Sequence, residues 1–204
     1  MMNLDHTIDL SLEEIKYLDN LANPSKYESE SWDNYKNDAV MKVIKNKIKE
    51  QLQILQNNKC IYCMRIIKTR TNNEGDREHF AYKNKYPQFT FNKYNLMISC
   101  QECNRGLKGI VNTVHKKNNY YPRCEFSIVH PIIDIIDKHL NFFENSIIRA
   151  KTVKGFRTIK LFKLDSTALT REREKEYRQQ LNESLPDNLL DSIDAAINFN
   201  LYEA

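Results

Sequence analysis

Two C-x-x-C pairs are the residues of this sequence whose type and spacing specify chemistry most directly: Cys60 and Cys63 in C-I-Y-C, and Cys100 and Cys103 in C-Q-E-C, with thirty-six residues between the pairs. Thiolates are soft ligands, and four of them close a tetrahedral shell around Zn²⁺ that leaves no coordination position open. A redox C-x-x-C would open a helix in a thioredoxin-like βαβ setting, and neither pair has that neighbourhood. The alternative of ordinary buried cysteines leaves the matched spacing unexplained. The reading is therefore a structural zinc site, with Cys124 left over and packing. A saturated site performs no reaction itself, so any catalytic group must lie between or beside the pairs.

Between them stands Arg77-Glu78-His79-Phe80, then Asn95-Leu96, and Asn104 follows the second pair directly. His79 and Glu78 taken alone also read as a half-buried histidine beside a solvated acid. Neighbours on an extended strand project to opposite faces, so shared use requires a twisted or bent strand end. The decapeptide C-Q-E-C-N-R-G-L-K-G holds two of the four glycines, Gly106 and Gly109. Either they allow close approach of backbone and ligand, or the helix simply ends at Gly109.

Charge separates this region from the rest. From Lys59 to Cys124, thirteen Lys and Arg oppose four acids, while the rest of the chain carries eighteen bases against twenty-three acids. A basic centre between acidic flanks suggests that the centre meets a polyanion.

The elements that must position these residues follow from periodicity. Ser11 and Glu14 form a capping-box signature that opens a helix at Leu12–Leu21. A longer helix is expected from about 31 to 56, with Val40, Val43, Ile44, Ile48, Leu52 and Leu55 as its apolar stripe and Asn57-Asn58 as its end. Residues 126–129, 142–148 and 158–162 read as strands of a small sheet, the last because T-I-K-L-F alternates with period two. Asp165 or Ser166 would cap a charged helix to about 185, Pro186 would break it, and a last helix would carry Leu189, Leu190, Ile193, Ile197 and Leu201. At 204 residues the chain can bury a core without a staple. It has no apolar run near the length of a membrane helix and its N-terminus lacks signal-peptide features, so a reducing cytoplasm is expected.

The order C-x-x-C, Glu-His, Asn-Leu, C-x-x-C-Asn-x-x-x-Lys, from Cys60 to Lys108, resembles the zinc-bearing branch of the HNH endonucleases. The resemblance implies a ββα-metal core in which two strands and a helix surround one divalent ion. It implies His79 as general base, Glu78 as the acidic metal ligand, Asn95 as the brace of the loop between the strands, and Asn104 as the helix-borne metal ligand. Glu78 departs from the commoner Asp, and Asn104 replaces the final His, giving an H-N-N variant. The chemistry suits these types: a neutral imidazole can accept a proton near pH 7, and carboxylate and amide oxygens are hard ligands for Mg²⁺ or Mn²⁺. Lys83, Lys85, Lys93, Arg105 and Lys108 would then meet the phosphates, or else form a solvated face.

Later motifs narrow the resemblance. F-S-I-V-H-P at 126–131, H-L-N-F-F at 139–143, and G-F-R-T-I-K-L-F-K-L-D at 155–165, followed by Leu169 and Arg171, resemble the HNH subunit of Septu-type antiphage systems, the PtuB family. That resemblance implies an ABC/SMC-like ATPase partner of PtuA type, with some relatives accompanying retrons, and leaves His130 and His139 structural. The expected fold is α+β: a helical segment at 1–58, a zinc-bearing ββα-metal core at 59–124, and an extension of small sheet plus helices at 125–204. The expected function is a metal-dependent endonuclease acting on nucleic acid, DNA ahead of RNA. The competing expectation is a non-catalytic, zinc-stabilised binding or assembly subunit.

Overall fold

The computed structural model describes residues 7–21, 32, 38–67, 75–144 and 146–180. Its first helix, α1 (Leu12–Leu21), starts with a reciprocal capping box, in which Ser11 N–H donates to Glu14 Oε2 at 2.6 Å and Glu14 N–H to Ser11 Oγ at 3.2 Å. The Lys47 to Glu14 ion pair at 2.7 Å ties α1 to α2 (Ala39–Leu55). Helix α2 begins later than periodicity suggested, because Asp38 is extended (φ −79°, ψ 115°) and its carboxylate accepts from Met41 N–H at 3.0 Å. The buried stripe also differs: Met41, Ile44, Ile48 and Leu52 face inward, while Val40 and Val43 are exposed. Spacings of three, four and four keep residues on one helical face, and Val40 and Val43 fall beside it. Asn57 and Asn58, both at positive φ, end the helix.

Beyond the first cysteine pair, β1 (Asp76–His79) and β2 (Leu96–Ser99) pair antiparallel, Glu78 opposite Met97 and His79 opposite Leu96. The chain then enters a π-helix, Glu102–Lys108. Gly109, at φ +48°, donates its N–H to Asn104 O at 2.7 Å and closes that helix, which settles its role as a terminator. A Cβ on Gly106 would meet nothing within 4 Å. The stripe of α2 packs against β2, and buried Gln56 extends that contact in polar form: its amide accepts from Ile98 N–H and donates to Ile98 O, both at 2.8 Å.

Among the described residues the remaining strands form two more antiparallel pairs: β3 (Val114–Lys116) with β4 (Glu125–Phe126), and β5 (Leu140–Phe143) with β6 (Ile147–Ala150). The strand expected at 158–162 is instead the second half of a helix, α3 (Val153–Phe162). Five residues can alternate by chance, whereas buried Gly155, Thr158, Ile159 and Phe162 follow helical spacing across the whole segment. Thr152 caps α3 through Gly155 N–H, and left-handed Lys163 ends it. Gly155 is required by packing, since a Cβ there would lie 2.1 Å from His139 O. Helix α4 (Thr167–Gln180) follows Ser166 directly, as expected. Pro186 and the last expected helix lie outside the described residues.

Buried residues from all three expected segments share one core, in which Phe162 of α3 stacks on Tyr62 of the first cysteine turn at 3.9 Å between ring centroids. Such a pair adds about 1 kcal/mol beyond its buried area. Among the described residues, no helix is long and apolar enough to cross a membrane.

Candidate metal-supported site on the β1–β2 hairpin

Cys60 and Cys63 lie on a tight turn closed by Cys60 N–H to Arg65 O at 2.9 Å and Met64 N–H to Cys60 O at 3.0 Å, with Met64 left-handed. Cys100 and Cys103 lie where β2 becomes the π-helix. The four sulfurs lie within 4.8 Å of one another, and Cys63 and Cys100 are 3.8 Å apart. A tetrahedron with Zn–S bonds of about 2.3 Å has sulfur–sulfur edges of about 3.8 Å. The donor set therefore fits a structural metal such as zinc. Arg65 braces this cluster: its guanidinium donates to Cys100 Sγ at 3.9 Å, pairs with Glu102, and reaches Glu172 of α4 at 3.2 Å. Sequence reasoning passed over Arg65; its position two residues after Cys63 was the available signal.

Strand alternation divides the next residues between two faces. Glu78 points inward, 3% exposed, with Oε1 accepting from Lys108 Nζ at 2.7 Å and from Tyr62 O–H at 3.0 Å. Burial raises its pKa above the ordinary carboxylate value, and Lys108 and Tyr62 oppose that rise. Asp76 shares the face of Glu78 by period two. Its carboxylate accepts from Asn104 Nδ2 at 3.1 Å and from Arg105 twice at 2.8 Å. Asp76 was also missed, although the strand period would have found it. Asn104 thus offers its amide oxygen, the one atom of that group able to ligate a cation.

His79, on the opposite face and buried, has Nε2 3.0 Å from Thr90 O, and its ring meets Trp32 edge-on at 4.7 Å between centroids. A carbonyl can only accept, so the proton belongs on Nε2 and the neutral ring carries its lone pair on Nδ1. Nothing in the sequence pointed to Trp32 as a neighbour.

The loop between β1 and β2 is locked by a buried polar chain. Asn95, fully buried, accepts from Ala81 N–H at 2.6 Å and Tyr121 O–H at 2.8 Å, and donates to Phe89 O at 2.9 Å and Ala81 O at 3.2 Å. The Tyr121 oxygen lies 3.2 Å from His130 Nε2, and His130 Nδ1 accepts from the N–H groups of Ile132 and Ile133. His130 is thereby fixed as the Nε2–H tautomer. Burial first, then the charge of Lys154, holds its pKa well below the ordinary histidine value, against the raising effect of a hydrogen bond to the Tyr94 backbone.

The sign of the resulting pH effect follows. Above about pH 6.5 His130 is neutral folded or unfolded; below it the unfolded chain binds a proton that the folded chain refuses. Stability should fall as pH falls from about 6.5, by up to about 1.4 kcal/mol per pH unit. Urea melts at several pH values should give a slope shallower by nearly one proton in His130→Gln than in the parent. Equal slopes would mean that His130 is not held neutral.

The five expected phosphate contacts divide. Lys85 and Lys93 are exposed, each near an aromatic ring, and Lys83 is half-buried. Arg105 is exposed but engages Asp76. Lys108 is in the interior, 2% exposed, its ammonium on Glu78 and on His79 O at 2.8 Å, so its charge serves the fold and not the surface.

With this geometry in view, comparison with known proteins gives two significant relatives. The chain is 33% identical over 121 residues to Septu protein PtuB of Bacillus thuringiensis, covering 58% of this chain and 41% of that protein. It is 32% identical over 158 residues to Septu protein PtuB of Bacillus mycoides (strain KBAB4), covering 63% and 50%. The chain spans half or less of the length of these curated relatives, and over the matched region it is related to PtuB. No family model matches the chain.

Proposed function

We propose that this chain is a metal-dependent endonuclease of HNH type, the nuclease subunit of a Septu-type antiphage system that works with an ATPase partner. The observation that carries the reading is the antiparallel β1–β2 pair running straight into a helix, pinned by a tetrathiolate cluster, with Glu78-His79 ending β1 and Asn104 on the helix. Similarity to Septu protein PtuB supports the defence role. His79, its ring oriented by the contact of Nε2 with Thr90 O, would act as the general base that takes a proton from the attacking water. Glu78 and the Asn104 amide oxygen would hold Mg²⁺ or Mn²⁺, which when bound stabilises charge on the phosphoryl oxygens. Asn95 keeps the loop that bears Thr90 closed. The P–O bond breaks on the side opposite the attacking oxygen, and solvent supplies the leaving group's proton.

A second reading, a nucleic-acid clamp without cleavage, is favoured by two observations: Glu78 and His79 project to opposite faces of β1, and the Glu78 carboxylate is already neutralised by buried Lys108. Separating a buried pair costs roughly 3–5 kcal/mol, a cost that metal binding must offset. Incubating the purified protein, alone and with a co-expressed ATPase from the neighbouring gene, with DNA and with RNA in Mg²⁺, in Mn²⁺ and without added divalent ion decides between them. Divalent-dependent nicking supports the nuclease; tight binding without cleavage under every condition supports the clamp.

A further inference from the structure

We propose that the β3–β4 hairpin is a second nucleic-acid contact that grips a single-stranded stretch, with Lys116, Lys117 and Arg123 on the phosphates and Tyr120 stacked on a base. This rests on the nucleic-acid reading above and extends it to residues outside the set assigned to the basic centre.

Charge is the first observation. From 103 to 133 the single acid is Glu125, against five Lys and Arg. Glu125 pairs with Lys116 at 3.3 Å, but both side chains are more than half exposed, and such pairs are worth at most about 1 kcal/mol. A phosphate can displace it. Lys117 and Arg123 form no ion pair among the described residues.

Shape is the second. Residues 115–120 are all exposed, and Tyr120 is 58% exposed with the Arg123 guanidinium 5.9 Å from its ring centroid. An exposed ring backed by a cation is a poor use of apolar surface in an isolated protein and a good platform for a base. Stacking requires an unpaired base, because a duplex hides both base faces; hence the single strand. The tip is also held in shape. Asn118 N–H donates to Cys124 Sγ at 3.2 Å, Tyr120 N–H donates to Asn118 Oδ1 at 2.9 Å, and the turn Tyr121–Arg123 follows. A platform fixed before binding loses little conformational freedom on contact.

Location is the third. At the root of the hairpin Thr113 O–H donates to Phe80 O at 2.6 Å, and from the turn Tyr121 O–H donates to Asn95, which itself holds Ala81. Phe80 and Ala81 are the two residues that follow His79. A strand lying along the hairpin is thereby led towards the end of β1.

The test uses the full chain with His79→Ala as the binding parent, so that no probe is cut, and fluorescence anisotropy with a labelled oligo-dT of about 20 nucleotides and a duplex of the same length. Tyr120→Ala should weaken single-strand binding about 5- to 100-fold, the range of one stacked base, leave duplex binding and the melting temperature unchanged, and so exclude misfolding. Lys116→Gln with Lys117→Gln should reduce the salt-dependence slope by about 1.4, or about 0.7 for each phosphate contact. If the parent binds while both variants match it in affinity and slope, the hairpin proposal alone falls. Equal losses on duplex and single strand overturn the single-strand assignment. If the parent binds neither probe, the nucleic-acid reading falls, and this proposal with it.

Discussion

His79→Ala should cleave nucleic acid about 10² to 10⁴ times more slowly than the parent in Mg²⁺ or Mn²⁺, the range expected for loss of a general base. The ring is 6% exposed, edge-on to Trp32 and tied to Thr90 O, so its removal opens a small cavity but leaves no buried charge unpaired. Fold and zinc content should persist, as a thermal melt and metal analysis would check. His79→Gln, closer in volume, guards against a packing artefact: it should be as slow as Ala while melting nearer the parent. Full-speed cleavage by both variants would show that the chemistry, if present, lies elsewhere.

Loss of the tetrathiolate metal is the second large effect. Cys100→Ser should remove about one zinc per chain and release β1, β2 and the π-helix from native order. Structural zinc contributes roughly 10–16 kcal/mol in small zinc-finger modules, which matches or exceeds the roughly 5–15 kcal/mol that separates most domains from unfolding. Here the core shared by α2, α3 and the aromatic cluster limits the damage. The local consequences can nonetheless be named: the Ile61 N–H to Ile98 O bond and the Arg65 bridge to Glu172 both depend on the cysteine turn. Hydrogen exchange should therefore quicken around 60–67 and 96–108 well before α1 and α2. A zinc-free protein with native exchange in those segments would refute a structural metal. One with native exchange but no cleavage would move the metal from the fold to the chemistry.

Much of the framework was legible because its causes are local. The Ser11/Glu14 box, the Asn57-Asn58 stop and the start of α4 after Ser166 each depend on hydrogen bonds within about four residues. The two C-x-x-C pairs were legible for the same reason, since each spacing is that of a single turn. Helix α3 is not legible from 158–162 alone, because five alternating residues fit a strand and the helical spacing shows only over all ten residues of Val153–Phe162. The stripe of α2 was legible at Ile44, Ile48 and Leu52, but not at its start, because exposed Val40 and Val43 are as apolar as buried Met41.

What the sequence by itself determined was the four-cysteine set, the starts of α1 and α4, and the clustering of positive charge between 59 and 124. Tertiary structure alone decided which of those charges remain at the surface. Lys108 and Glu78 are thirty residues apart and look alike among many exposed lysines and glutamates. Only the packing of the π-helix on β1 sets them 2.7 Å apart at 1% and 4% side-chain exposure. The same packing gives Arg105 and Asn104 to Asp76, and a separate long-range contact sets Trp32 against His79. Such choices weigh the loss of water around two ions against their pairing across the fold, and neither quantity exists until the chain has brought the distant partners together.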